Sequence, residues 1–290
     1  MKRLFLLLLA AALPLSAQDK PKWVLVKPAL PESITLHENV ECSHPGDFSV
    51  LVNVYVPKKE DTYPAILLIH GGGWQKRQIE PDKPLAERLA ERGYVVTQVA
   101  YRLSTDAKYP AAIHDCKAAL RFMRANAAKY RLDPDRIGVM GGSAGGHLSA
   151  LMGMTGDVKE LEGSGGNPDQ PTKLKACVVM AATMDLLEAN KDKNSEGHVL
   201  FFGPISENRP LYAQASPIEY VSKASPPTFF IEGEKDSLKI GRAAMQEKLR
   251  AAGVATDLIT LKSAPHPFWM SQPWLDETVK AAADWFDKHL

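Results

Sequence analysis

Four short stretches of this 290-residue chain carry side chains suited to acyl transfer. The first to notice is Ser143, in Gly141-Gly142-Ser143-Ala144-Gly145-Gly146-His147. It follows an apolar run at 136–140 and precedes a segment that reads as a helix from Leu148 to Met152. A serine between small residues at a strand-to-helix corner matches the nucleophile-elbow pattern, where only glycine-like neighbours let the backbones pass so closely. Alone, G-x-S-x-G is a weak signal, because glycine-rich turns are common. A serine hydroxyl is also a weak nucleophile and needs a base within hydrogen-bond reach. His266 is the candidate, since imidazole titrates closest to the working pH. Asp236 would hold that ring in the right tautomer and stabilise the imidazolium as it forms. Backbone N–H groups of Gly72, Gly73 and Ala144 would receive the developing oxyanion, each donor worth on the order of 3 kcal/mol in the transition state.

The alternatives lie close by in sequence. Glu232, Glu234 and Asp185 compete with Asp236 for the acid, and His70 with His266 for the base. His70 otherwise fixes the glycine loop through hydrogen bonds, and His147 packs beneath the site on the elbow helix. The other five of the eight histidines (His37, His44, His114, His198 and His289) read as surface or structural. Arg102 and Asp115 read as a structural ion pair near the site.

Positioning these groups takes a particular succession of elements. Residues 34–41 and 48–56 alternate apolar and polar around Pro45-Gly46-Asp47, which predicts an antiparallel hairpin at a sheet edge. Residues 65–69 are continuously apolar, as in a strand covered on both faces. Helices are predicted at 84–92, 110–130, 237–252 and 274–289, and strands at 94–99, 137–140, 175–181, 228–231 and 257–261. This alternation predicts an α/β fold: a mostly parallel sheet wrapped by helices on both faces, with the hairpin adding antiparallel strands. In such a sheet, functional groups gather where strands end. The ends carry His70-Gly71-Gly72-Gly73-Trp74, then Ser143, then Asp236, then His266, the chain order nucleophile, acid, base.

The start of the chain, Met1-Lys2-Arg3 followed by an apolar run to Leu13 and a small-residue end at Ser16-Ala17, reads as a secretory signal peptide over 1–17. A retained N-terminal anchor is the alternative. Residues 18–32 read as a linker, and 33–290 as a single domain with a lid-like insertion at 186–225 that carries Phe201, Phe202, Tyr212 and Tyr220. Thirty-five basic and 34 acidic residues give a net charge of +1 with no basic stripe, which argues against nucleic acid as a partner and against capture by anionic membranes. No stable membrane insertion is expected once the leader is removed. Neither C-x-x-C nor H-E-x-x-H is present, so no metal or organic cofactor is expected. Of the three cysteines, Cys116 and Cys177 read as buried small hydrophobes, and the pairing of Cys42 stays open.

The glycine run at 70–74, Tyr101-Arg102-Leu103, Tyr109-Pro110-Ala111, the elbow at 141–147 and Gly233-Glu234-Lys235-Asp236 together resemble the α/β-hydrolase esterases of the hormone-sensitive-lipase-like branch. More narrowly, the chain is similar to secreted bacterial carbohydrate esterases of the acetylxylan and feruloyl type, from about Phe48 onwards. The resemblance implies Ser143, Asp236 and His266 as triad and Gly72, Gly73 and Ala144 as oxyanion hole. Two departures stand out. The cap helices that precede the sheet in many members are replaced by the hairpin, and Pro267 follows His266 where many members have glycine. The implied activity is hydrolysis of short acyl esters on plant or algal polysaccharide by a periplasmic or secreted enzyme. A general short-chain carboxylesterase, a feruloyl esterase, an arylformamidase and an inactive binding module are the rivals. Trp74, His147, Trp269, Phe201 and Phe202 are the substrate-pocket candidates. Trp74, Trp269 and Trp274 would offer stacking surfaces for sugar rings, with core packing as the alternative.

Overall fold

The computed structural model describes residues 23–156, 158–191 and 195–290. The expected leader at 1–17 and the first residues of the expected linker lie outside them. In chain order the elements are β1 (Val24–Leu25), β2 (Ile34–Ser43), β3 (Val50–Pro57), β4 (Tyr63–Ile69), α1 (Ile79–Glu91), β5 (Val95–Ala100), α2 (Ala111–Ala125), α3 (Ala127–Tyr130), β6 (Leu132–Gly142) and α4 (Ala144–Met154). Then come β7 (Ala176–Met180), α5 (Leu186–Ala189), α6 (Glu196–Phe202), α7 (Ile205–Gln214), β8 (Thr228–Gly233), α8 (Arg242–Ala251), β9 (Thr256–Leu261), β10 (Ser271–Gln272) and α9 (Trp274–His289).

Eight strands form one sheet in the order β2-β3-β5-β4-β6-β7-β8-β9. Only β3 runs against its neighbours; every other adjacent pair is parallel. The four strands that precede the candidate groups, β4, β6, β8 and β9, therefore end on the same edge. The apolar run of β4 explains its central place. Ala65, Leu67 and Ile69 face one core and Ile66 and Leu68 the other, all essentially inaccessible to solvent. Helices α2, α4 and α8 cover the first face through Ile113, Leu120, Leu148, Leu151 and Leu249. Helices α1 and α9 cover the second through Leu85, Leu89, Val279 and Phe286. Each such apolar side chain stabilises the fold by about 2 kcal/mol on burial. Every residue of α4 is buried, so the helix behind Ser143 is held from all sides.

Several expected boundaries move for identifiable reasons. The single helix expected at 110–130 breaks at Asn126, whose side-chain amide donates to the Phe122 carbonyl (2.9 Å) in competition with the helical ladder. The helix expected from residue 237 begins only at Arg242, after Gly241 in the left-handed region (φ 78°), where a Cβ would stand 2.7 Å from that of Asp185. This leaves residues 237–241 as a loop. The insertion at 186–225 is not irregular: it holds α5, α6, α7 and a 3₁₀ turn at Pro217–Tyr220. Its helices are short and punctuated by Gly203-Pro204 and Pro210, which erases periodicity in the sequence. Phe201, Phe202 and Tyr212 bury it in the same core as α4. The described part of the expected linker is tied down, with β1 pairing antiparallel to β10 and the Ala29 N–H donating to Glu87.

Candidate active site

At the end of β6 the chain turns so sharply that Ser143 adopts φ 57°, ψ −124°, a conformation that costs a non-glycine residue of order 1–3 kcal/mol. Two backbone bonds hold it there: the Ser143 N–H donates to the Met180 carbonyl (3.0 Å), and its own carbonyl accepts from the His147 N–H (3.0 Å). Each flanking glycine answers to a different neighbour. A Cβ at Gly146 would stand 2.8 Å from the Met180 carbonyl oxygen, and one at Gly142 would press into the Trp269 ring, 2.6 Å from Cη2. A Cβ at Gly145 would stand 2.6 Å from the His70 carbonyl oxygen and closer still to that of Ile69. Backbone oxygens cannot rotate away, so Gly145→Ala is expected to cost about 3 kcal/mol of stability. A chemical-denaturation midpoint equal to wild type would show that the turn is looser than this.

Three groups from three strand ends converge on the turn. His266 Nε2 lies 3.1 Å from Ser143 Oγ, and His266 Nδ1 lies 2.7 Å from Asp236 Oδ2. The carboxylate therefore fixes the proton on Nδ1 and leaves the Nε2 lone pair toward the serine. Asp236 is itself held, its Oδ1 accepting from the Leu238 N–H at 2.9 Å. The rival acids are engaged elsewhere. Glu232 pairs with Arg242 (2.8 Å), Glu234 accepts from the Ser263 N–H (2.7 Å), and Asp185 caps α5 by accepting from the Glu188 N–H (2.9 Å). His70 stacks on Tyr101 at 4.3 Å, with Nδ1 2.7 Å from the Gly71 carbonyl, and burial holds its pKa down to about 4. It is a neutral post for the glycine loop and does not reach the serine. Arg102 and Asp115 form a bidentate pair at 2.9 and 2.7 Å, as expected.

A cavity of about 290 Å³ opens beside Ser143, and Gly73 and Ala144 line it. Ala144 is the first residue of α4, where N–H groups lack an intrahelical acceptor and the helix dipole is positive. Gly72, grouped with them from the sequence, does not line the cavity. Its task is the turn itself: φ is 100°, and its carbonyl accepts from the N–H groups of Gln75 and Lys76 at 3.0 Å.

The pocket candidates divide. Trp74 and His147 line the cavity. Phe201 and Phe202 do not; they are core residues, and Phe201 stacks on Trp74 (5.3 Å, 8° between planes), covering one indole face from behind. Trp269 is no platform either. It is 1 % exposed, lies under Gly142, and donates its indole N–H to Asp82 Oδ1 at 3.0 Å. Trp274 is likewise buried, donating to the Lys262 carbonyl (3.0 Å). Only Trp74 of the three keeps a place at the site, because the others fall on the α1/α9 side of the sheet. His198 was missed. It lines the cavity, its ring lies 5.4 Å from that of Trp74, its Nδ1 is 3.0 Å from Asn190 Oδ1, and burial holds its pKa down to about 4. The spacing of His198, Phe201 and Phe202, one face of a helix, was the available signal. Leu238 and Ile240, from the loop that replaces the start of α8, complete the apolar wall.

Among the described residues no group of three or more His, Cys, Asp or Glu side chains is arranged to hold a metal ion, and no helix is long and apolar enough to cross a membrane. All three cysteines are free and buried, which answers the question left open for Cys42, and burial pushes its thiol up to about 12.

The BD-FAE family matches residues 52–243, more than half of the chain. Esterase LipQ of Mycobacterium tuberculosis is 32% identical over 213 residues, covering 71% of this chain and 50% of LipQ, so the chain spans about half the length of that relative. Carboxylesterase NlhH of the same organism is 31% identical over 238 residues, covering 77% of this chain and 72% of NlhH. A solved structure described as a truncated form of carbohydrate esterase from gut microbiota superposes with a TM-score of 0.79 at 28% identity, over 91% of this chain and 99% of that one. Sequence and architecture agree that the chain belongs to the BD-FAE family, on an α/β-hydrolase fold.

Proposed function

We propose that this chain is a serine carboxylic-ester hydrolase working through an acyl-enzyme. The observation that carries the reading is the unbroken relay from Ser143 Oγ through His266 to Asp236, at 3.1 and 2.7 Å. Ser143 Oγ attacks the acyl carbon while His266 Nε2 takes its proton. The Gly73 and Ala144 N–H groups receive the negative charge that develops on the carbonyl oxygen. The tetrahedral intermediate collapses, the C–O bond to the alcohol breaks, and His266 returns the proton to the leaving alkoxide. Water, deprotonated by the same ring, then attacks the acyl-serine, releasing the acid and restoring the hydroxyl.

The substrate we infer is a short, acetyl-type ester on a hydroxyl-rich carbohydrate, met outside the cytoplasm in the periplasm or medium. Four observations support this. The cavity is small for a ligand site, which suits a short acyl group. Two of its lining residues each carry a buried polar atom with no partner among the described residues: the Trp74 indole N–H, a donor, and His147 Nδ1. His147 Nε2 lies 2.7 Å from the Ala215 carbonyl and so carries the ring proton, which leaves Nδ1 an acceptor. Both atoms are closed to solvent, so a substrate hydroxyl, which donates and accepts, would satisfy the pair once the two rings turn toward the cavity. Finally, the N-terminal sequence reads as an export signal, and the carbohydrate esterase above shares the architecture.

Acetate release from acetylated xylan and pectin, with ferulate release from feruloylated arabinoxylan alongside, tests the substrate. Acetate from at least one polymer is the expected result. On small substrates, an acetylated sugar is expected to be hydrolysed with a kcat/KM about tenfold or more above that of the matching acetate lacking the neighbouring hydroxyl, since a deoxy substrate leaves buried groups unpaired. Hydrolysis of simple acetates with no polymer activity and no deoxy penalty would replace this reading with a general short-chain carboxylesterase.

A further inference from the structure

Asp82 sits in the first turns of α1, 2 % exposed. Burial raises its carboxyl to about 7, and the neutral indole N–H of Trp269, which donates to it, opposes the rise. A carboxyl buried in this way is costly to the fold, and an apolar residue of α1 would avoid the cost. What the carboxyl holds explains its presence. Trp269 donates to it at 3.0 Å, and that indole is both the floor under Gly142 and the edge-on neighbour of the His266 ring, 5.2 Å between centroids.

We propose that Asp82 is a positioning residue: one carboxyl, remote from substrate, holds the Trp269 indole and through it sets the spacing between the nucleophile turn and the histidine loop. The proposal rests on the serine-esterase reading. It acts through geometry alone, since a misplacement of about 1 Å at the reacting groups costs on the order of 10²-fold in rate.

Four variants test it: Asp82→Leu, Asp82→Asn, Trp269→Phe, and Asp82→Leu combined with Trp269→Phe, assayed on a chromogenic acetyl ester. Leucine keeps the branched skeleton of the side chain but offers the indole N–H no acceptor, whereas asparagine keeps one. Asp82→Leu is expected to lower kcat by about tenfold or more with KM held within about twofold, the split that marks an interaction felt in the transition state, while Asp82→Asn stays within about threefold of wild type. The thermal midpoint of Asp82→Leu should stay near that of wild type, because the substitution also removes a buried carboxyl. Trp269→Phe should lose a similar factor, and the combined variant should be no slower than the slower single one, since both act along one path. An unchanged kcat in Asp82→Leu, an equal loss in Asp82→Asn, a kcat that falls only in step with the thermal midpoint, or losses that multiply would each overturn the proposal. Ser143→Ala, run alongside, separates the two levels. If it too keeps the wild-type rate, the esterase reading fails; if it is inactive while Asp82→Leu is fully active, only the positioning role fails.

Discussion

Ser143→Ala is expected to lower the turnover of a chromogenic acetyl ester by about 10⁶-fold, leaving a residual rate above that in water. In the proposed mechanism the hydroxyl is the atom that bonds to the acyl carbon, and no neighbouring group is placed to replace it. The cysteines are buried with their thiols pushed upward, and His70 and His147 are held neutral by burial at other posts. The residual rate would come from the Gly73 and Ala144 donors, which the substitution does not touch. Alanine also relieves no packing conflict, because the strain at this position lies in the backbone and the turn is fixed by the Met180 and His147 bonds. The variant should therefore fold, and substrate binding should survive. Steady-state rates corrected for trace wild-type enzyme are the measurement, and equal rates in both proteins would end the acyl-enzyme mechanism.

The second large effect is at Asp236. Asp236→Asn is expected to lower kcat by about 10⁴-fold at neutral pH. The carboxylate accepts the His266 Nδ1 proton at 2.7 Å and the Leu238 N–H at 2.9 Å, one on each oxygen. Asparagine can satisfy only one of them with its single oxygen. If it serves Leu238, its NH₂ faces Nδ1 and favours the imidazole tautomer whose proton points at Ser143, which makes His266 useless as a base. Equivalent substitutions at Glu232, Glu234 and Asp185 provide the comparison, because each of those carboxylates already has another partner. A loss below about tenfold at Asp236, with a large loss at one of the others, would reassign the acid.

The parts of this site that were legible in the sequence are those where sterics leave little choice. Gly141, Gly145 and Gly146 are dictated by backbone atoms of β4, β7 and the elbow itself, so their spacing carries the turn with it, while Gly142 answers to the Trp269 ring. The strand ends were legible because β4 is apolar on both faces and β6 and β8 are buried as it is at their carboxyl ends. Among Glu232, Glu234 and Asp236 the sequence favours Asp236, but the other two stay rivals because three acids within five residues look alike until Arg242 and Ser263 engage two of them. Trp269 misled for a related reason. Its position three residues after His266 says that it is near the site, and only the packing of α1 says on which side of the sheet it falls. The signal at His198 was weak, because α6 spans only seven residues and the spacing of His198, Phe201 and Phe202 covers barely one turn of it.

The stacking of Phe201 on Trp74 has a bearing on how this pocket can change over time. Trp74 follows Gly73 directly, so the aromatic that bounds the cavity is covalently continuous with the proposed oxyanion donor and is backed by a residue of the insertion. That insertion shares its buried side chains with the helix behind the nucleophile. Residues 186–225 are thus no exchangeable cassette. A lineage that widens the pocket there must repack the glycine loop at the same time, so a new substrate range is reached by concerted substitution on both sides of that aromatic pair.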